Sequence, residues 1–248
     1  MNYVIHAPAA SWKTSVQLPA SKSICNRALI LNALSYSPYE IQNLSDCDDT
    51  DVMVKALNSN DSHFDVKAAG TAMRFLTAFL SKVVGEWTIT GTERMKNRPV
   101  RILVDALNAV GAKIEYLEKE GFPPLRIMGS ALQGGEISLD GGVSSQYISA
   151  LLMIAPLMEK GLTLLLQGKV ISKPYIHLTL QLMKQYGVES EWVGSTIKVA
   201  PQSYRPLPYT VESDWSAASY WYEMMALSQQ AEIELKGLFK ESLQGDAA

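Results

Sequence analysis

Four stretches of the chain place hydroxyl, amide and cationic side chains just before or inside what read as helix starts. They are "SKSICNRALILNALS" from Ser21, "GTAMRFLTAFLSKV" from Gly70, "SSQYISALLMIAPLM" from Ser144 and "DWSAASYWYEMMALS" from Asp214. A helix N-terminus already favours an anion through its exposed N–H groups and its macrodipole. Adding Lys22, Arg27, Arg74, Arg98 and Lys173 near such positions weakens the helices slightly, which makes sense where a ligand supplies the countercharge. Arg27 and Arg98 can each hold a carboxylate or phosphate through two parallel hydrogen bonds, which lysine cannot do. Ser23, Ser144, Ser145 and Ser172 add neutral donors suited to phosphate oxygens. Any one of these serines alone reads as an ordinary N-cap. Their recurrence points to a ligand carrying several negative charges.

The elements that position these residues form a repeat. After each stretch comes a strand-like segment: "YEIQNLS", "EWTITGT", "GLTLLLQGK" and "AEIELKGLF". A second helix follows, clearest from Arg98 and from Lys173, with Pro99 and Pro174 suited to a first helical turn and Gly111 and Gly187 to helix ends. In the first copy the second helix is "DDTDVMVKALNSN", closed by a short strand at "HFDV"; "GGEISLD" and "STIKVAP" suit paired strands. The repeat predicts an α/β (α+β) fold of helix–strand–helix–strands units. The fourth copy stops at "KESLQGDAA", so the chain is read as ending inside a repeat of a longer protein. "YRPLPYTVE" reads as a crossing between domains. The expected division is 1–19, strands of an incomplete second domain; 20–203, one complete domain of three units; and 204–248, the crossing and the start of the second domain. The aromatic and methionine residues of "SYWYEMMAL" read as core packing, and left uncovered they would expose apolar surface.

Composition narrows the function. The 248 residues are 47% hydrophobic and 19% charged, enough for one large or two smaller cores. A net charge of −3 gives no electrostatic reason to expect nucleic acid or an anionic membrane as a partner. The apolar stretch Tyr147–Met158 is too short to span a bilayer, and the N-terminus lacks a signal-peptide pattern, so a cytoplasmic location is expected. Cys25 and Cys47 read as two thiols. His6, His63 and His177 are scattered, and Asp46, Asp48, Asp49 and Asp51 read as a solvated helix start. Asp140 reads as a turn residue, and "GLTLLLQGK" lacks P-loop spacing. The Cys, His and Asp residues show no metal-ligand spacing.

"LPASKSICNRALILNAL", "AGTAMRFLTAFL", "ERMKNRPV", "SSQYISALLMIAPL" and "SKPYIHLTLQLMKQYGV" together resemble, in order and spacing, the signatures of the 5-enolpyruvylshikimate-3-phosphate synthase family. The resemblance covers nearly the whole chain. It implies two domains of three βαβαββ units each, closing over the ligands. It also implies transfer of an enolpyruvyl group from phosphoenolpyruvate to shikimate 3-phosphate in aromatic amino-acid biosynthesis, without a metal or organic cofactor and with a monomer as the full-length form. By motif position, Lys22, Ser23 and Arg27 would hold shikimate 3-phosphate, Ser144, Ser145 and Ser172 its phosphate, and Gln146 and Tyr175 its ring. Lys22, Gly70, Arg98 and Gln146 would face phosphoenolpyruvate, with Lys22 also catalytic. The sequence departs from the family pattern at Ala20, Cys25, Ala68 and Phe75, positions expected around the phosphoenolpyruvate site. The family's later catalytic Asp and Glu, and its later Arg and Lys, have no counterpart before Ala248, and Asp214 matches only the inter-domain motif. The competing readings are a non-catalytic anion-binding module, a transferase loading enolpyruvate onto a UDP-amino sugar, and a structural scaffold without a ligand.

Overall fold

The hydrophobic periods resolve into two copies of one topology in a computed structural model, which describes residue 4 and residues 11–247. β1 (Ser11–Gln17) leads into α1 (Lys22–Leu34) and α2 (Asp48–Asn58). One unit follows: β2 (His63–Asp65), α3 (Gly70–Lys82), β3 (Gly85–Thr90), a short α4 (Glu93–Lys96), α5 (Arg101–Ala109), β4 (Lys113–Tyr116) and β5 (Leu125–Gly129). The next is β6 (Gly135–Asp140), α6 (Ser145–Ile154), β7 (Leu162–Gln167), α7 (Lys173–Gln185), β8 (Glu191–Val193) and β9 (Thr196–Val199). The chain then runs through α8 (Trp215–Ala226) and β10 (Gln230–Lys236). The two four-stranded sheets have orders β2-β3-β5-β4 and β6-β7-β9-β8. In each, the opening strand lies parallel to the second and the last two pair antiparallel, so βαβαββ is built twice.

The sheets form because their strands alternate or run apolar, while the helices carry the core. In α3 the residues from Gly70 to Ala78 are all buried, as are Tyr147–Ile154 of α6. A helix apolar on every side must be surrounded. Accordingly α1, α3 and α6 contact one another, α2 packs on α1 and α3, α5 on α3 and α6, and α7 on α1 and α6. Both second helices end alike. Past α5, Gly111 N–H donates to Asn108 O and Ala112 N–H to Leu107 O; past α7, Gly187 N–H donates to Lys184 O and Val188 N–H to Met183 O. These are Schellman closures, with Gly111 at φ +101° and Gly187 at φ +84°.

Several expectations shift. "HFDV" does not close the first copy: β2 pairs parallel with β3 and opens the next unit, with α3 as the crossover that a parallel pair requires. "YEIQNLS" forms no strand beyond an isolated bridge from Gln42 to Thr210, made by Gln42 N–H to Tyr209 O and Val211 N–H to Gln42 O. Its neighbour there is the crossing segment, whose Pro206 and Pro208 have no N–H to extend a ladder. Pro99 lies outside α5, which starts at Arg101, because Arg98 N–H still donates to Met95 O and completes the α4 turn. Pro174 does sit in the first turn of α7.

β1 pairs in parallel with β10. The part of 1–19 that precedes β1, including His6, lies outside the described residues apart from Val4. The core role expected for "SYWYEMMAL" is not met: only Ala218 of α8 is buried, and Tyr220, Tyr222, Met224, Met225 and Leu227 are exposed, the last by 82%. The two-stranded β1–β10 ribbon offers one face, and among the described residues no second layer covers the helix. Cys25 and Cys47 are free thiols, the first buried.

Replacing Gly187 with alanine puts a Cβ 3.1 Å from the Arg205 side chain at a positive φ. The expected loss is about 1–2 kcal/mol. Urea unfolding is expected to show a lower midpoint with an unchanged slope, whereas an unchanged midpoint would contradict the closure as drawn.

Candidate functional site

Because the opening helices of successive units pack on one another, their N-termini meet. A cavity of about 290 Å³ is lined by Lys22, Ser23, Asn26 and Arg27 from α1, Thr71 from α3, Ser144, Ser145 and Gln146 from the start of α6, and Tyr175 from α7. Four helix starts therefore point orphan N–H groups and positive dipole ends toward one place. Ser144 caps α6 by accepting from Gln146 N–H at 3.4 Å, and the Gln146 amide donates to Thr71 Oγ1 at 3.2 Å, tying α6 to α3.

Arg27 dominates the electrostatics. Its residue is only 3% exposed, and its guanidinium donates through Nε to Thr179 Oγ1 at 2.7 Å, through Nη1 to Ser23 O at 2.8 Å and through Nη2 to Ser149 Oγ at 3.1 Å. It also lies 5.3 Å from the Phe75 ring centroid. No carboxylate pairs with it among the described residues. Burial lowers its pKa from 12.5 to about 10, so it stays charged at neutral pH at a cost of about 3 kcal/mol. Five guanidinium N–H donors meet three neutral oxygens, leaving capacity for an anion. Beside it, Asn26 Oδ1 accepts from Thr50 Oγ1 at 3.2 Å while its buried Nδ2 has no partner.

A second cationic group sits at the start of α3. The Arg98 guanidinium lies against Gly70 so closely that a Cβ there would collide with it. Arg74 Nη1 donates to Gly70 O at 2.7 Å, and its guanidinium stands 5.0 Å from the Tyr147 ring. The Tyr147 hydroxyl in turn donates to Pro99 O at 2.7 Å, fixing the loop that carries Arg98. Partial burial, then the charges of Arg74 and Arg94, depress the Arg98 pKa, while Asp49 opposes them. Lys22 Nζ lies 3.5 Å from Asp49 Oδ2.

Of the residues singled out by sequence, Lys22, Ser23, Arg27, Ser144, Ser145, Gln146 and Tyr175 share the cavity, and Gly70 and Arg98 form the adjoining pair. Ser172 is the N-cap of α7 but does not line the cavity. Arg27, read as a helix-start cation, is instead inside the core. Phe75 belongs under Arg27 rather than beside Gly70, since five residues turn a helix by about 140° beyond one full revolution. Asn26, Thr71 and Asp49 were not anticipated. Asn26 lies one helical turn from Ser23, a spacing that sequence offers but does not single out.

Comparison with known proteins gives one consistent result. The family described as EPSP synthase (3-phosphoshikimate 1-carboxyvinyltransferase) matches residues 7–60 and 56–248. A 3-phosphoshikimate 1-carboxyvinyltransferase of Bacteroides fragilis is 60% identical over 100% of this chain and 60% of its own length. One of Photobacterium damsela subsp. piscicida is 42% identical over 93% of this chain and 61% of its own. A solved EPSP synthase of Acinetobacter baumannii superposes with a TM-score of 0.80 at 19% identity, over 91% of this chain and 56% of that one, a likeness of fold. The chain thus spans about 60% of the length of the curated relatives it matches.

If Arg27 is a desolvated charge held for a ligand, removing it should stabilise the chain. The Thr179 and Ser149 hydroxyls bond each other at 2.8 Å and Thr179 also donates to Tyr175 O, so they keep partners without it. Arg27→Met is expected to gain about 1–2 kcal/mol and raise the melting temperature by about 2–6 °C. A marked drop in melting temperature would instead make Arg27 a structural cross-link.

Proposed function

The chain belongs to the EPSP synthase (3-phosphoshikimate 1-carboxyvinyltransferase) family, and from that we propose that residues 20–203 are its shikimate-3-phosphate-binding domain, with 1–19 and 204–248 belonging to a second domain. In the full-length protein the reaction is enolpyruvyl transfer: the 5-hydroxyl oxygen of shikimate 3-phosphate bonds to C2 of phosphoenolpyruvate, and inorganic phosphate leaves. The observation that carries the proposal is the buried Arg27, charged, without a carboxylate partner among the described residues, in a cavity where four helix N-termini converge.

In this reading Arg27 takes the shikimate carboxylate, exchanging the burial cost for a charge-assisted hydrogen bond. Ser144 and Ser145 hold the phosphate at the N-terminus of α6, where backbone N–H groups and dipole add to the hydroxyls. Ser172, at the start of α7, joins them once the ligand extends beyond the cavity. Gln146 and Tyr175 bound the ring. Lys22, Gly70, Arg98 and Gln146 face phosphoenolpyruvate: glycine lets Arg98 lie over the start of α3, and Lys22 stabilises charge or delivers the proton as the tetrahedral intermediate forms. The assembly of these groups from four helix starts and one loop supports a two-anion site over a scaffold without a ligand.

Calorimetric titration of shikimate 3-phosphate into the chain is expected to show saturable 1:1 binding. Arg27→Ala should weaken it by about 100-fold or more, the size expected when one partner of a buried charge pair is lost. With phosphoenolpyruvate added, phosphate release is not expected from these residues alone, because two-fifths of the relatives' length has no counterpart here. Absence of binding by the folded chain would overturn the assignment of the cavity. Preferential binding of a UDP-amino sugar would favour the neighbouring transferase activity.

A further inference from the structure

The acidic start of α2 contributes one carboxylate that behaves unlike its neighbours. Asp48 and Asp51 are exposed, whereas the Asp49 side chain is 18% exposed and turned inward. Its Oδ1 accepts from Thr71 N–H at 3.3 Å, one of the donors that the first turn of α3 leaves without a helical partner. Its Oδ2 is 3.5 Å from Lys22 Nζ. Around the same helix start, Arg98 rests on Gly70, and Arg74, itself buried, leaves its Nε without a partner. Arg94 also presses its charge on Arg98. A carboxylate thus lies against a lysine and a helix N-terminus, within electrostatic reach of Arg98, where the proposed function puts the second anionic substrate.

Both Asp49 contacts are long. Charge-assisted N–H···O bonds run near 2.7–2.9 Å, so an incoming anion with better geometry can take them over. We propose that Asp49 is an internal counter-anion, holding Lys22 and the α3 N-terminus until phosphoenolpyruvate displaces it from both. This inference rests on the assignment of Lys22 and Arg98 to that substrate. Its consequence is selectivity: a lone inorganic anion must compete with a tethered carboxylate, while a ligand carrying both a phosphate and a carboxylate engages Lys22 and Arg98 together and prevails. Asp49 is on this account a positioning and discriminating residue rather than a catalytic one.

The test is calorimetric titration of phosphoenolpyruvate, and separately of inorganic phosphate, into the 248-residue chain saturated with shikimate 3-phosphate. Asp49→Asn is expected to tighten both, phosphoenolpyruvate by about tenfold or more, within the range from about fivefold for a like charge ~4 Å away in bulk water to about a thousandfold near a protein surface. Asp49→Ser, whose hydroxyl still accepts from Thr71 N–H, should tighten them as well. Asp48→Asn, the same change on an exposed neighbour, should leave both within about twofold of the unaltered chain, a difference too small to resolve as an interaction. Shikimate 3-phosphate affinity should be unchanged throughout. Equal, weaker or undetectable phosphoenolpyruvate binding by both Asp49 variants, with shikimate 3-phosphate binding intact, overturns the proposal and leaves Asp49 as an orienter of Lys22. Loss of shikimate 3-phosphate binding by the unaltered chain would instead overturn the site assignment on which it depends.

Discussion

A guanidinium cation inside an apolar helix bundle is the constraint around which this structure is arranged. Arg27 is held by two hydroxyls and a carbonyl, stacked near Phe75, and given no carboxylate among the described residues. Such a group is expensive to bury, and the three neutral partners offset only part of the cost. The hydroxyls that reach it, Ser149 and Thr179, come from α6 and α7, so Arg27 sits where α1 meets both helices. The same packing brings the N-termini of these helices together, turning a local burial problem into a site with a strongly positive floor.

The repeat makes this convergence possible. Each βαβαββ unit puts its first helix inside and its sheet outside, so stacking units brings equivalent helix starts side by side. Ser144, Gly70 and Lys22 lie within one residue of the same place at different helix starts, yet they differ in what they supply. Ser144 gives a capping hydroxyl, Gly70 a gap that admits an arginine, and Lys22 a cation. The Schellman closures after α5 and α7 show the same repetition at the opposite helix ends, where nothing suggests ligand contact. Architecture is shared between units, and the chemistry is written on one end.

Much of this was legible in the sequence. The spacing of hydroxylated helix starts, the glycines at positions 111 and 187, and the alternating strands disclosed the unit. Most of the residues at those starts line the candidate cavity. What escaped was set by tertiary contacts. The failure of "YEIQNLS" to form a strand depends on a proline-bearing neighbour far along the chain. The burial of Arg27 depends on Ser149 and Thr179, more than 120 residues away. Asp49 reads as one of several solvated acids, because only the approach of α3 to α2 distinguishes it from Asp48. The exposed face of α8 reads as core for a related reason: its apolar pattern is that of a covered helix, but the described residues supply no cover.

The central claim, that Arg27 is a buried charge kept for a ligand carboxylate, is tested most directly by a crystal structure of the chain with shikimate 3-phosphate. The account predicts the ligand carboxylate within hydrogen-bonding distance of the Arg27 guanidinium and the ligand phosphate at the N-terminus of α6, beside Ser144 and Ser145. A ligand bound with its carboxylate in solvent, or with Arg27 uncontacted, would contradict it.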